Sequence, residues 1–302
     1  MQPEIVVVGS LNLDTTVRVA RLPRPGETVL GQGHFTDTGG KGANQAVAAA
    51  RLGRSVAMVG MVGADQSGVR LLQSLREAGV STSAVVRSAD APTGMALITV
   101  DEAGENQIVV SPGANAGMSP ADVEAAGDLL GSAAVTLVQL EIRTDAMEAA
   151  ARLSGGVVVL NPAPARALDA RMLAGVHVLI PNRSELAVIA GAAEPQSIDE
   201  AVDLALMLTA PATVIVTLGS SGAIVVEVGK VTIVPAIPVE AVDPTGAGDA
   251  FCAGIADALV GGASMVEAAR WAARCGAAAT LRWGAQAALP RREAVAALEA
   301  AP

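Results

Sequence analysis

Two periodicities divide this chain. Short unbroken apolar runs bounded by turn residues have the form of strands buried on both faces: Ile5–Val8, Val56–Val62, Val135–Leu140, Val157–Asn161, His177–Pro181, Val214–Leu218 and Gly222–Val228. Segments of helical spacing lie between them, at Ala46–Leu52, Gly68–Ala78, Thr144–Leu153, Arg166–Ala174, Ser184–Ala190, Ile198–Leu208, Ala250–Val260 and Val266–Leu281. Alternation over this length predicts a three-layer αβα fold, a doubly wound and mostly parallel sheet with helices on both faces.

Two regions break the rule. Thr15–Ala20 and Thr28–Phe35 alternate apolar with polar residues, as do Thr93–Asp101 and Asn106–Ser111 around the turn at Glu102–Glu105. Such strands belong outside the main sheet and predict a small antiparallel sheet, most simply a lid over a site or a surface that pairs with a second subunit. A length of 302 residues allows one large α/β domain or two modest ones. No linker of domain size and no repeat interrupts the pattern, so the expectation is one domain over residues 1–302, with lid strands inserted at about 14–38 and 93–111.

Composition narrows the partners. The net charge is −10, and the chain has two Phe, two Trp and no Tyr. Phosphate neutralisation needs clustered cations and base stacking needs aromatics, so nucleic acid is excluded as an expected partner. His34 and His177 are the only histidines, which argues against a histidine-rich zinc site or a Ser-His-Asp triad. Cys252 and Cys275 sit in small-residue helical stretches, the first residues lack a basic signal start, and no apolar run approaches the ~18 residues that span a bilayer. A soluble cytoplasmic protein is the expectation, with no membrane partner.

Candidate chemistry collects where strands end and helices begin. Asp243-Pro-Thr-Gly-Ala-Gly-Asp249 reads as a tight turn feeding a helix whose first amides have no partner of their own. Those amides make an anion site, and Asp249 stands at its rim. An anion alone does not call for a carboxylate, so Asp249 either complements the helix dipole or takes a proton from a nucleophile. Near the start, Gly39-Gly40-Lys41-Gly42-Ala43-Asn44-Gln45 brings a cation and an amide to another helix start; it lacks the spacing of a Walker A loop. Asn12 and Asp14, two residues apart, face the same way in an extended segment and either grip neighbouring hydroxyls or serve turn chemistry. Glu141, Asn161, Asn182, Glu185 and Thr217–Gly222 end successive strands, at the sheet edge where doubly wound folds hold ligands.

The Gly39–Ala49 run and the Asp243–Phe251 run together resemble the paired signatures of the ribokinase (phosphofructokinase-B) family of carbohydrate kinases, and the likeness extends from Val6 to Pro290. Gly9–Asp14, Pro25–Thr28 and Gly104–Asn115 add to it. The resemblance implies transfer of the ATP γ-phosphate to the 5-hydroxyl of ribose, with another sugar, deoxyribose, fructose or a nucleoside as the alternative acceptor and a non-catalytic sugar-binding regulator as the remote one. It makes Asp249 the general base and the amides of Gly246, Ala247 and Gly248 the anion hole. Asn12, Asp14, Gly40, Lys41, Gly42, Asn44, Glu141 and Asp249 match positions that hold the sugar; Asn182, Thr217, Gly219, Ser220, Gly222 and Gly248 match positions around ATP. Glu185 is expected to order Mg2+ through water, and Asp243 with the carbonyls of Thr245, Ala279, Arg282 and Gly284 to hold K+. Ala288 departs from the family by lacking a hydroxyl ligand for that cation, and Ala273 stands where an asparagine lies near the adenine. A homodimer joined through the lids completes the expectation.

Overall fold

The computed structural model describes residues 2–208 and 210–298, and its strands fall into two sheets. The larger holds β1 (Ile5–Val8), β4 (Val56–Gly63), β5 (Ser81–Ser88), β8 (Val135–Gln139), β9 (Val157–Asn161), β10 (Val178–Leu179), β11 (Thr213–Thr217), β12 (Ala223–Glu227) and β13 (Lys230–Val234). Its order is β13-β12-β11-β10-β9-β8-β1-β4-β5, parallel from β11 to β5 and antiparallel through β12 and β13. The chain steps outward from β1 in both directions. That reversal opens a crevice at the carboxyl ends of β1 and β8, where a doubly wound sheet holds its ligand.

Both edges of this sheet depart from the expected strand list. The apolar-run criterion finds neither β5 nor β13, because an edge strand is half exposed and its sequence is mixed: Ser-Thr-Ser-Ala-Val-Val-Arg-Ser in β5 and Lys-Val-Thr-Ile-Val in β13. The expected helix over Arg166–Ala174 forms only at Ala170–Leu173, where Asp169 caps it by accepting from the Arg171 and Met172 amides.

The smaller sheet has the order β3-β2-β6-β7, built from β2 (Asn12–Val19), β3 (Gly31–Gly39), β6 (Gly94–Val100) and β7 (Asn106–Ser111). It corrects the expectation of an antiparallel sheet. β2·β3 and β6·β7 are antiparallel, yet the central pair β2·β6 is parallel. The reason lies in the connections: β2 continues from β1 and β6 follows β5, so both leave the same carboxyl edge of the parallel sheet and run the same way.

Small side chains set the packing. Helices Ala247–Val260 and Met265–Ala279 lie so close that a Cβ on Gly254 would stand 2.8 Å from the Ala272 Cα. Alanine and glycine at such crossings replace the bulk that aromatics would supply. Among the described residues, no helix is long and apolar enough to cross a membrane.

Candidate active site

The helix Lys41–Arg51 begins at Gly40, whose φ of 88° places its backbone against β2; a Cβ there would lie 2.7 Å from the Asn12 amide nitrogen. Only glycine permits both the angle and the approach. At the facing end of the sheet, Glu141 accepts from the Ser10 hydroxyl and from the Lys41 amide at 3.2 Å. Asn12 is fixed by Asn115, whose Nδ2 donates to Asn12 Oδ1 at 2.8 Å while its Oδ1 accepts from the Leu11 amide. Asp14, on the same strand, packs against Gly39, where a Cβ would stand 2.0 Å from Asp14 Oδ2. Two glycines and one asparagine therefore bring Asn12, Asp14, Lys41 and Glu141 to one wall.

Asp249 closes that wall from the opposite side. It sits in the first turn of the helix Ala247–Val260, 7% exposed, with Oδ2 accepting from Asn44 Nδ2 at 2.9 Å and Oδ1 from Gln45 Nε2 at 3.1 Å. Burial raises its pKa, opposed by the Lys41 ammonium and the two amide hydrogen bonds. Lys41 is pushed the other way from most buried amines. Burial would lower its pKa, but the carboxylates of Asp249, Glu141 and Glu185 outweigh this and raise it. Asp14 is pushed up to about 7 by burial first, then by Glu141, Asp37 and Asp249. Asn44 Oδ1 is buried and unpartnered among the described residues, an acceptor waiting for a donor such as a hydroxyl.

The start of this helix is open. Gly246, at φ 78°, caps it without any side-chain hydrogen bond. The Ala247 amide donates to the Pro244 carbonyl at 3.2 Å, whereas those of Gly246, Gly248 and Asp249 have no protein partner among the described residues. Gly248 is exposed while Asp249 beside it is buried, so an unpaired N–H and a carboxylate meet at the mouth of one site.

Two further groups stand around this centre. Asn182 and Glu185 form a capping box: Glu185 Oε2 accepts from the Asn182 amide at 2.8 Å, and Asn182 Oδ1 accepts from the Glu185 amide at 2.8 Å. Asn182 also bridges to Thr217 in the sheet, and burial raises the pKa of Glu185. Gly219 and Ser220 are exposed on the turn after β11, outside the polar network around Asp249. Gly222 has a structural duty besides, since a Cβ there would lie 2.1 Å from the Val234 carbonyl. The other group is a staple between loops: Asp243 accepts from the Thr245 and Gly284 amides, both at 2.9 Å, and the Thr280 carbonyl accepts from the Val242 and Asp243 amides. Ala279 and Ala288 are buried, and Arg282 is exposed.

Sequence reading by segments passes over Ser10, Asn115 as the anchor of Asn12, and Gln139. The lid register also brings Ala96 opposite Asp14 and Val110 opposite Ala96, so two apolar side chains share the face that carries Asp14. A signal existed for Gln139 alone, a polar residue closing an apolar strand.

A buried carboxylate beside unpaired helix-start amides and a lysine is an arrangement that suits phosphoryl transfer to a hydroxyl. Comparison with known proteins agrees. The model of the pfkB family carbohydrate kinases matches residues 2–292. A ribokinase of Haemophilus influenzae is 36% identical over 97% of each chain, and one of Schizosaccharomyces pombe is 38% identical over 95% of this chain and 94% of its own. The solved structure of Arabidopsis thaliana ribokinase complexed with ribose and ATP superposes with a TM-score of 0.90 at 32% identity, covering 99% of both chains. The chain belongs to the pfkB family of carbohydrate kinases, and it is a sugar kinase.

Proposed function

We propose that the protein transfers the γ-phosphoryl group of ATP to the 5-hydroxyl of D-ribose, giving ribose 5-phosphate and ADP. The observation that carries this reading is the pairing of buried Asp249 with the unpaired amides at the start of its own helix. Asn12, Asp14, Gly40, Lys41, Gly42, Asn44 and Glu141 hold the sugar hydroxyls, with the free Asn44 Oδ1 as one acceptor. Asp249 takes the hydroxyl proton as the oxygen–phosphorus bond forms and the bond to the ADP oxygen breaks. The amides of Gly246 and Gly248 face the charge on the transferring group, and that of Ala247 joins them by releasing Pro244. Lys41 adds its charge from the sugar side. Asn182, Thr217, Gly219, Ser220 and Gly222 line the nucleotide.

The donor sets fit two cations. Glu185 is a single carboxylate coupled to Lys41 and Asp249, which suits Mg2+ held largely by phosphates and water. That ion neutralises charge on the ATP phosphates. Asp243, with the carbonyls of Thr245, Ala279, Arg282 and Gly284, is an all-oxygen set on a helix end and two stapled loop segments, and it suits K+. Higher activity in potassium than in sodium or lithium is expected, and equal rates would remove this cation.

The exposed apolar residues Leu97, Ile108 and Val109 on the lid support a homodimer formed lid to lid. A dimeric mass by light scattering at micromolar concentration is expected; a monomeric mass would oppose it. The cytoplasm is the proposed location. A panel of sugars and nucleosides at fixed ATP tests the acceptor: ribose should give the fastest ADP formation, and no ADP above buffer with ribose would defeat the proposal.

A further inference from the structure

Behind Asp249 stands a row of buried carboxamides. Gln45 Nε2 donates to Asp249 Oδ1 at 3.1 Å and to Asn161 Oδ1 at 3.4 Å, and Gln139 Nε2 donates to Gln45 Oε1 at 2.6 Å. Both glutamines are 0% exposed. An ionised carboxylate only accepts, so Asp249 obliges Gln45 to present its amino group. The Gln45 oxygen then faces away, and Gln139 must present its own amino group to it. The charge on Asp249 thus sets the direction of the whole row.

The far end of the row carries a cost. Gln139 Oε1 is buried with no partner among the described residues, and it presses on Gly9, where a Cβ would lie 1.9 Å away. A leucine at this strand position would fill the space without stranding an oxygen, so the amide of Gln139 needs a reason other than packing. Among the described residues, the one hydrogen bond of this amide runs to Gln45.

We propose that Gln45, oriented by Gln139, is a positioning residue for phosphoryl transfer: it fixes the rotation of the Asp249 carboxylate and leaves Oδ2, the oxygen shared with Asn44, to take the sugar proton. This rests on the reading of Asp249 as the base. Gln45 grips Oδ1 from the fully buried side, while Asn44 on the site side has its own oxygen free. A hydrogen bond to the ionised form also opposes the rise that burial imposes on Asp249. The titratable groups that face Asp249 are Lys41 from the helix Lys41–Arg51, Glu141 after β8, Asp14 from β2, Glu185 from the helix Arg183–Ala190 and the buried Cys252 thiol on its own helix. None of them touches Gln45 or Gln139 through a hydrogen bond.

The test uses full-length Gln45→Met, Gln139→Met and Asp249→Asn proteins with ribose and ATP. Gln45→Met should lower kcat about tenfold while the KM for ribose moves less than about threefold, because the lost contact is to the base and not to the sugar. The acid limb of kcat against pH should rise by about one pH unit. Gln139→Met, which touches neither base nor substrate, should shift both readouts in the same direction by a smaller amount, and it carries the test if Gln45→Met does not fold. Wild-type kcat and an unmoved acid limb in the folded variants, beside an inactive Asp249→Asn, would overturn the positioning role alone. An active Asp249→Asn would overturn the base reading and this inference with it.

Discussion

One helix, Ala247–Val260, carries two buried aspartates with opposite surroundings. Asp257, 2% exposed and near the helix end, is met by the Arg54 guanidinium at 2.6 Å, by Arg292 and by the Trp271 indole N–H at 2.8 Å. Arg292 also lies over the Trp271 ring, 5.4 Å from its centre. A carboxylate at a helix C-terminus opposes the dipole, so two cations compensate it, and together they tie the N-terminal segment to the C-terminal one through Glu4 and Arg54. Asp249, 7% exposed in the first turn, meets no guanidinium among the described residues; two neutral carboxamides hold it, with Lys41 nearby. The dipole favours its charge, yet burial still lifts its pKa. A buried charge with a full set of partners serves the fold. One held by neutral amides alone suits the proposed exchange of a proton, and on that proposal the contrast separates the chemistry from the scaffold.

The largest expected effect is on turnover. Asp249→Asn should lower kcat by about a thousandfold or more, measured as ribose-dependent ADP formation, if the carboxylate is the base. Next in size is Arg54→Ala, which leaves Asp257 buried with one cation fewer and also frees Glu4. It should cost about 3 kcal/mol in urea unfolding with kcat per folded molecule unchanged, and a variant as stable as wild type would undo the scaffold reading of Asp257. Arg292→Ala removes a more exposed partner and a cation–π contact, so about 1 kcal/mol is expected from the same measurement.

A further effect is read only against pH and concerns Asp14, whose pKa rises from 3.8 to about 7 in the fold. A carboxyl group with a raised folded value binds protons more tightly when folded. Its stabilising contribution is therefore present below pH 3.8 and is lost as pH climbs toward 7. Asp14→Asn should flatten that fall, so the variant gains on wild type between pH 4 and pH 8 when sugar is absent; parallel stability curves would contradict the raised value.

How much of this was legible in the sequence depended on range. Gly39–Asn44 and Gly246–Asp249 announce themselves because glycine geometry, helix starts and charge all lie within a few residues of one another. The lid strands were visible through their alternation, but the parallel pairing of β2 with β6 depends on how β1 and β5 leave the main sheet, which no local pattern encodes. β5 and β13 escaped because polar edge strands lack a continuous apolar run. Distance in sequence hid the second ring of the site: Ser10 meets Glu141 across 131 positions, Asn115 meets Leu11 across 104, and Gln139 meets Gln45 across 94. The capping box of Asn182 and Glu185 shows the converse, a motif whose local structural duty and proposed role around the nucleotide occupy the same residues.

Side-by-side urea unfolding of Asp249→Asn and Asp257→Asn tests the contrast between the two aspartates most directly. Asp257→Asn should lose about 3 kcal/mol, because the buried end of two guanidinium contacts loses its charge. Asp249→Asn should be as stable as wild type or more so at pH 7, because it removes a buried charge whose folded pKa lies above its unfolded value. Equal losses, or a larger loss at Asp249, would contradict the division of one helix into a chemical end and a structural end.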